Sequence, residues 1–353
     1  MTRAKRKAPA RRAAPAPLKT SWLKTVVFSL VPLVVVLGVI EGVCRLLPEP
    51  GRERGTGGYV VPDPDLLWRL TPRDSGIFKT NELGLRDEPY RADADLKILV
   101  LGDSITWGNG IDDIEDLYPK RLQRKLAQHQ PNRSVFVINS GVPGYSTFQE
   151  AAYLKLRGLA LRPNLVVLQF CLNDIVERYN TLAQYGGDNV FLGVDTRIGG
   201  AGIRAFLIRH SRAMERLFRF AQRRARGREE YDVGQLTKPG AWSPALEEAW
   251  ALVVRELEDV RLTTKQAGIP LLLVIAPYAS QLTDPEHTRQ PQDRLIAYAR
   301  SHGVDYIDLL PDLVRIQQAQ PALRLFIDAN HFTVPGHLVL AELLAEPVRR
   351  LVQ

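Results

Sequence analysis

Short apolar runs, each the length of a single strand, recur through the chain at residues 97–101, 135–139, 165–171, 271–277 and 304–310. Polar residues do not alternate through them, which is the pattern of strands buried on both faces of a parallel sheet. Between the runs, apolar positions return at helical spacing. Leu117, Leu122 and Leu126 share one side of 116–129, and Phe148, Ala152, Tyr153 and Leu156 mark 147–158. Residues 245–267 carry a long amphipathic pattern, 294–301 a shorter one, and 336–351 a last one. Strands alternating with helices predict a doubly wound α/β sheet, in which ligands sit beyond the carboxyl ends of the strands. No repeat of solenoid length occurs.

Ahead of this body the pattern changes. Residues 1–21 are mostly Ala, Pro, Lys and Arg with no apolar face and read as a disordered tail. Residues 25–40 are uncharged and rich in Val, Leu and Ile. At 1.5 Å per residue this run spans roughly 24 Å, slightly short of a ~30 Å hydrocarbon core. Trp22 and Leu23 extend it if Lys24 snorkels, and Glu41 and Arg45, one turn apart, can pair beyond it. Residues 22–47 are therefore expected to be a single-pass signal-anchor; a cleaved signal peptide and a buried core helix are the rival readings. Residues 48–95 read as a linker and N-terminal extension, and 96–353 as the folded domain.

Charge sharpens the picture. The 353-residue chain has 47 Lys and Arg against 39 Asp and Glu, a net charge of +8. Arg3, Lys5, Arg6, Lys7, Arg11, Arg12, Lys19 and Lys24 account for that whole excess. The body is neutral, so a nucleic-acid enzyme is excluded. Basic residues before the apolar run orient the N-terminus to the cytoplasm and put the domain outside the cytoplasmic (inner) membrane. A second basic feature lies in a helical insertion at about 201–228. Nine arginines between 203 and 228 accompany apolar residues at helical spacing. This segment is either a solvated helix packed on the body or a contact for anionic lipid headgroups or polysaccharide. Cys44 and Cys171 make no disulfide framework, and no Cys/His spacing suggests zinc.

Chemistry gathers at the strand ends. The first strand runs into Gly102-Asp103-Ser104, which would set the serine hydroxyl at the crevice. The second runs into Asn139-Ser140-Gly141-Val142-Pro143-Gly144, the third into Leu172-Asn173-Asp174, and Asp328-Ala329-Asn330-His331 precedes the last helix. Each alone has an ordinary explanation: a helix entry, a cap, a loop histidine. All of them together, in this order, point to a nucleophile with its base. No Gly-x-Ser-x-Gly elbow occurs, which disfavours the ordinary α/β-hydrolases. Trp107 and Tyr145 are expected at the cleft, and His337 as a structural histidine of the last helix.

Over residues 95–353 the chain resembles the SGNH hydrolases, also called the GDSL esterase/lipase family. Gly102-Asp103-Ser104 matches the first motif block and Asn173 the third; Asp328-x-x-His331 matches the block of the base. The glycine of the second block best matches Gly144, with Gly141 the weaker register. An Asn-x-x-Gly-Leu-Arg stretch, Asn81 to Arg86, is similar to one in a membrane-anchored or exported bacterial subgroup. The resemblance implies a three-layer α/β/α, flavodoxin-like domain. It also implies Ser104 as nucleophile, His331 as base oriented by Asp328, and an oxyanion hole of the Ser104 and Gly144 N–H groups and the Asn173 amide. Neither metal nor organic cofactor is implied. The expected activity is hydrolysis of an ester through an acyl-serine intermediate, on an acylated carbohydrate or another envelope ester, judged from location alone. The rivals are an O-acyltransferase with the same residues and a non-catalytic envelope-binding module.

Overall fold

All of the apolar runs become strands of one parallel sheet in the computed structural model, which describes residues 22–46, 60–63, 65–73, 79–176, 211, 213, 214, 217 and 233–353. The strands are β3 (Leu96–Leu101), β4 (Val135–Asn139), β5 (Leu165–Cys171), β6 (Leu271–Ala276) and β7 (Asp305–Asp308), after a small antiparallel hairpin of β1 (Val60–Asp63) and β2 (Leu67–Leu70). The order across the sheet is β4-β3-β5-β6-β7, so the chain starts near one edge, reverses direction across the sheet and leaves a crevice where the order switches.

Period-two packing explains the continuous apolar runs. Leu99, Leu101, Val166, Leu168, Leu273 and Ile275 point to one core. Their neighbours Ile98, Val100, Leu165, Val167, Leu272 and Val274 point to the other. The first core is covered by α4 (Thr147–Tyr153), α5 (Pro244–Gln266) and α6 (Gln290–His302) through Ala151, Val253, Leu257, Leu295 and Ala299. The second is covered by α3 (Tyr118–His129), α7 (Leu310–Ala319) and α8 (Val334–Leu351) through Leu122, Leu126, Leu313, Leu340 and Leu344. The result is the expected three-layer α/β/α arrangement.

Two elements differ from their sequence signals. The run at 304–310 is strand only as far as Asp308; Leu309 and Leu310, both buried, already belong to the entry of α7. An apolar run does not reveal where strand gives way to helix when both sides of the junction are buried. Residues 61–95, without clear periodicity in sequence, contribute Leu66, Trp68, Leu70, Leu85 and Ala94 to the first core.

The segment expected as an anchor over 22–47 coincides with α1 (Trp22–Leu46), which contains Pro32. Arg45 Nε donates to Glu41 Oε1 at 2.8 Å, as their spacing suggested. Among the described residues no helix is long and apolar enough to cross a membrane. The basic segment at 203–228 lies outside the described residues apart from Ser211, Ala213, Met214 and Leu217. Ser211 Oγ and the Ala213 N–H both donate to Glu41 Oε2.

Candidate active site

The turn after β3 has almost no room. At Gly102 a Cβ would sit 2.1 Å from Thr106 Oγ1 and 2.8 Å from Gln169 Oε1, so only glycine fits. Asp103 then caps a single helical turn, α2 (Ser104–Trp107), by accepting the Ile105 N–H at 2.8 Å. Thr106 Oγ1 donates to Gln169 Oε1 of β5 at 2.8 Å and lies 2.7 Å from the Tyr118 hydroxyl of α3. Ser104, the first residue of α2, is therefore held between the two helical layers at the carboxyl edge of the sheet, with 8% of its surface exposed.

The loop after β4 packs directly against α2. A Cβ on Gly141 would lie 2.3 Å from the Trp107 nitrogen, and Gly141 spends its own N–H on Asn139 Oδ1 at 3.0 Å. Val142-Pro143-Gly144-Tyr145 closes a turn with the Tyr145 N–H on the Val142 carbonyl at 3.0 Å and Gly144 at φ 79°. Proline followed by a positive φ is the type II turn, which requires glycine at that third position. Among the described residues, no acceptor takes the N–H of Ser104 or of Gly144.

After β5, Asn173 is buried to 3% exposure, and its amide reaches Asp103 Oδ2 at 3.5 Å. Before α8, Asp328 Oδ1 accepts the N–H groups of Asn330 (3.1 Å) and His331 (2.9 Å), which folds the loop back on itself. The same carboxylate meets the His331 ring: Nδ1 is 2.8 Å from Oδ2 and 3.0 Å from Oδ1. Nε2 lies 2.8 Å from Ser104 Oγ. A carboxylate beside Nδ1 assigns the proton to that nitrogen, leaving the Nε2 lone pair for the serine hydroxyl. Partial burial pushes the Asp328 carboxyl up, but the His331 and Asn330 donors outweigh it and hold the group below the usual carboxylate range.

His331 thus contacts Ser104 on one side and Asp328 on the other, and Asn173 contacts Asp103, the residue before Ser104. Trp107 and Tyr145 are corrected from cleft to core. Each is 1% exposed in the first core, and the Tyr145 hydroxyl donates to the Trp68 carbonyl at 2.6 Å. Both follow strand ends, but their size and apolarity draw them under the loops. His337 is structural: its buried Nδ1 accepts the Tyr118 N–H at 3.1 Å.

Some residues at this site were not singled out by sequence reasoning. Asp103 is fully buried; burial pushes its carboxyl up, opposed by the Ile105 N–H, the His331 charge and the Asn173 amide. Its place inside the Gly-Asp-Ser turn was the available signal. Asn109 Nδ2 lies 3.4 Å from His331 Nε2, a contact across more than two hundred residues that no local pattern announces. Glu150 of α4 is buried, and among the described residues neither of its oxygens has a hydrogen-bond partner. Burial, with Asp103 and Glu256 nearby, pushes its carboxyl well above the ordinary range.

Residues 100–339 match the GDSL-like Lipase/Acylhydrolase family. No curated protein matches the chain. Solved structures that are similar include a two-domain esterase (CEX) active on acetylated mannans, at 14% identity and TM-score 0.43, covering 73% of this chain and 50% of that one. This chain therefore spans half the length of that esterase. A lipase/acylhydrolase from Enterococcus faecalis matches at 16% identity and TM-score 0.40 over 72% of this chain and 96% of its own. A catalytic mutant of Axe2, an acetylxylan esterase from Geobacillus stearothermophilus, matches at 17% identity and TM-score 0.45 over 73% and 94%. The family match spans most of the folded domain and begins within β3, the strand that leads to Ser104. This chain belongs to the GDSL-like lipase/acylhydrolase family and is a serine hydrolase of the SGNH type.

Proposed function

We propose that the protein is an esterase that cleaves its substrate through an acyl-Ser104 intermediate. The observation that carries this reading is the unbroken relay from Asp328 through His331 to Ser104, with 2.8 Å at each step. A serine hydroxyl is a weak nucleophile until a base takes its proton, and an imidazole at hydrogen-bond distance does so as the oxygen attacks. Ser104 Oγ adds to the ester carbonyl while its proton moves to His331 Nε2. Asp328 holds the ring by Nδ1 and balances the imidazolium charge.

The carbonyl oxygen becomes an oxyanion. Its donors are the Ser104 N–H, the Gly144 N–H and the Asn173 side-chain amide, with Asp103 keeping that amide in place. Collapse expels the alcohol, which takes the proton from Nε2 and leaves acyl-Ser104. Water then attacks the acyl carbonyl, giving its proton to Nε2, and the carboxylic acid departs as Ser104 recovers its hydrogen. Every proton passes through one imidazole nitrogen, so the chemistry of the relay is complete with these side chains.

The same proposal puts the domain on the outer side of the cytoplasmic membrane, with α1 as its single-pass anchor. Support comes from the basic residues ahead of α1 and from exposed Leu30, Val34 and Val39 along it. An acylated carbohydrate or another envelope ester is the substrate class that this location favours. The test is turnover of p-nitrophenyl acetate together with labelling by a fluorophosphonate probe. Wild type is expected to release free acid and to be labelled at Ser104, and Ser104→Ala to do neither. Full activity of purified Ser104→Ala would end the assignment.

A further inference from the structure

The Asn81–Arg86 stretch has no part in the relay, yet it is built with unusual economy. The Asn81 side chain accepts the N–H groups of Leu83 (3.0 Å) and Leu85 (3.1 Å) and donates to the Glu88 carbonyl (2.9 Å). Gly84 turns the chain at φ 76°, with its Cα so close to β2 that a Cβ would sit 2.4 Å from the Leu70 carbonyl oxygen. Leu85 fills the first core. The turn thus aims one side chain, Arg86, into the protein, where it is 1% exposed.

Arg86 reaches the back of the nucleophile loop. Nη1 donates to the carbonyls of Trp107 (3.0 Å) and Gly108 (2.7 Å), and Nη2 to those of Ile111 and Asp112 (3.0 Å). The guanidinium lies over the Trp107 ring, 5.4 Å from its centroid. These carbonyls flank Asn109 on both sides. Asn109 in turn donates its N–H to the Ser104 carbonyl at 2.9 Å and presents its side-chain amide to His331 Nε2 at 3.4 Å.

We propose that Asn81–Arg86 is a clamp and that Arg86 is a positioning residue: by gripping the carbonyls around Asn109 it sets Asn109 and Ser104 against His331. The proposal rests on the esterase reading above. Its physical basis is the planar fork of the guanidinium, which binds several carbonyls in fixed relative positions; an ammonium on a flexible stem does not. Asn109 gives the clamp its output: its side chain flanks the imidazole at 3.4 Å and limits the tilt of the ring, while the Nε2 lone pair stays with the Ser104 hydroxyl at 2.8 Å.

The test is a double-mutant cycle on the full chain, with kcat and KM for p-nitrophenyl acetate, the rate of fluorophosphonate labelling at Ser104, and the thermal midpoint. Arg86→Lys is expected to lower kcat and the labelling rate together by about tenfold or more at temperatures where it is folded, with KM little changed, because a misplaced reacting group costs rate rather than binding. Asn109→Ala is expected to lower kcat with an unchanged midpoint. The double variant should be no slower than the slower single variant, since both act on one contact.

Wild-type kcat in folded Arg86→Lys, or effects of the two substitutions that simply multiply, would overturn the clamp. If Arg86→Lys does not fold, Asn81→Asp replaces it. That variant keeps the acceptors of the turn, loses the donor to Glu88, and is expected to show a smaller change of the same kind; wild-type kcat there would equally overturn it. A wild-type protein that neither turns over nor labels overturns the esterase reading itself, and the clamp with it.

Discussion

Asn173 shows how much one side chain at this site depends on its neighbour. Its amide meets Asp103 Oδ2 at 3.5 Å, and among the described residues its own carbonyl oxygen has no hydrogen-bond partner. A donor so placed is available to a developing oxyanion, and losing one donor of that kind costs about 3–4 kcal/mol in barrier. Asn173→Ala is therefore expected to lower kcat by about a hundredfold or more with KM little changed, measured on p-nitrophenyl acetate. A loss confined to KM would mean that Asn173 only binds substrate. Ser104, His331, Asp328 and Asn173 were all legible in the sequence, because each stands in a short block of distinctive residues at a strand end or before a helix. Asn109 was not. Its meaning lies in a contact with His331 that exists only after the chain has closed.

At the scale of elements, α3 and α8 each bury a polar group, Lys120 and His337. Lys120 of α3 is 2% exposed at its side chain and pairs with Asp87 at 2.5 Å, with Glu88 and Gln123 at 3.2 and 3.0 Å. Burial pushes Asp87 up to about 6 in spite of Lys120 and the backbone donors around it. Removing one partner of a buried pair leaves the other uncompensated, at a cost of about 3–5 kcal/mol. Lys120→Met should lose about that much in a urea unfolding curve near pH 7; a change below about 1 kcal/mol would place the pair in the surface class.

His337 of α8 makes a pH prediction. Burial pushes its imidazole down to about 3, with the charges of Arg86, Arg121 and His331 adding to the effect. The folded value lies below the ordinary 6.5, so the native state favours the neutral ring. Its contribution to stability is complete above that ordinary value and is lost as pH falls toward the folded value, at about 1.4 kcal/mol per pH unit. Thermal midpoints of wild type should drop more steeply than those of His337→Asn between about pH 6.5 and 4.5. Parallel curves would remove His337 as the cause. The helical pattern of 336–351 foretold α8, but no pattern marks Lys120, a charge within an amphipathic helix, as a buried ion.

For the molecule as a whole, the exposed apolar side chains of α1 lead to an expectation about partition. The full chain should sediment with membranes, resist high salt and alkaline carbonate, and be released by detergent; release by salt alone would make the attachment peripheral and electrostatic. The sequence alone determined the layers of the folded domain. Strand runs buried on both faces admit few arrangements other than a parallel sheet between helices, and local spacing is enough to reveal them. It also determined which residues could react, since a nucleophile, its base and an amide donor are chemical types that are read one at a time. Only the tertiary structure decided how they meet. The grip of Arg86 on the loop around Asn109, the burial of Trp107 and Tyr145 and the seating of Leu66, Trp68 and Leu85 on the core all join distant parts of the chain. Such contacts depend on close packing in three dimensions, where a misfit of an ångström is costly, and periodicity along a line carries no record of them.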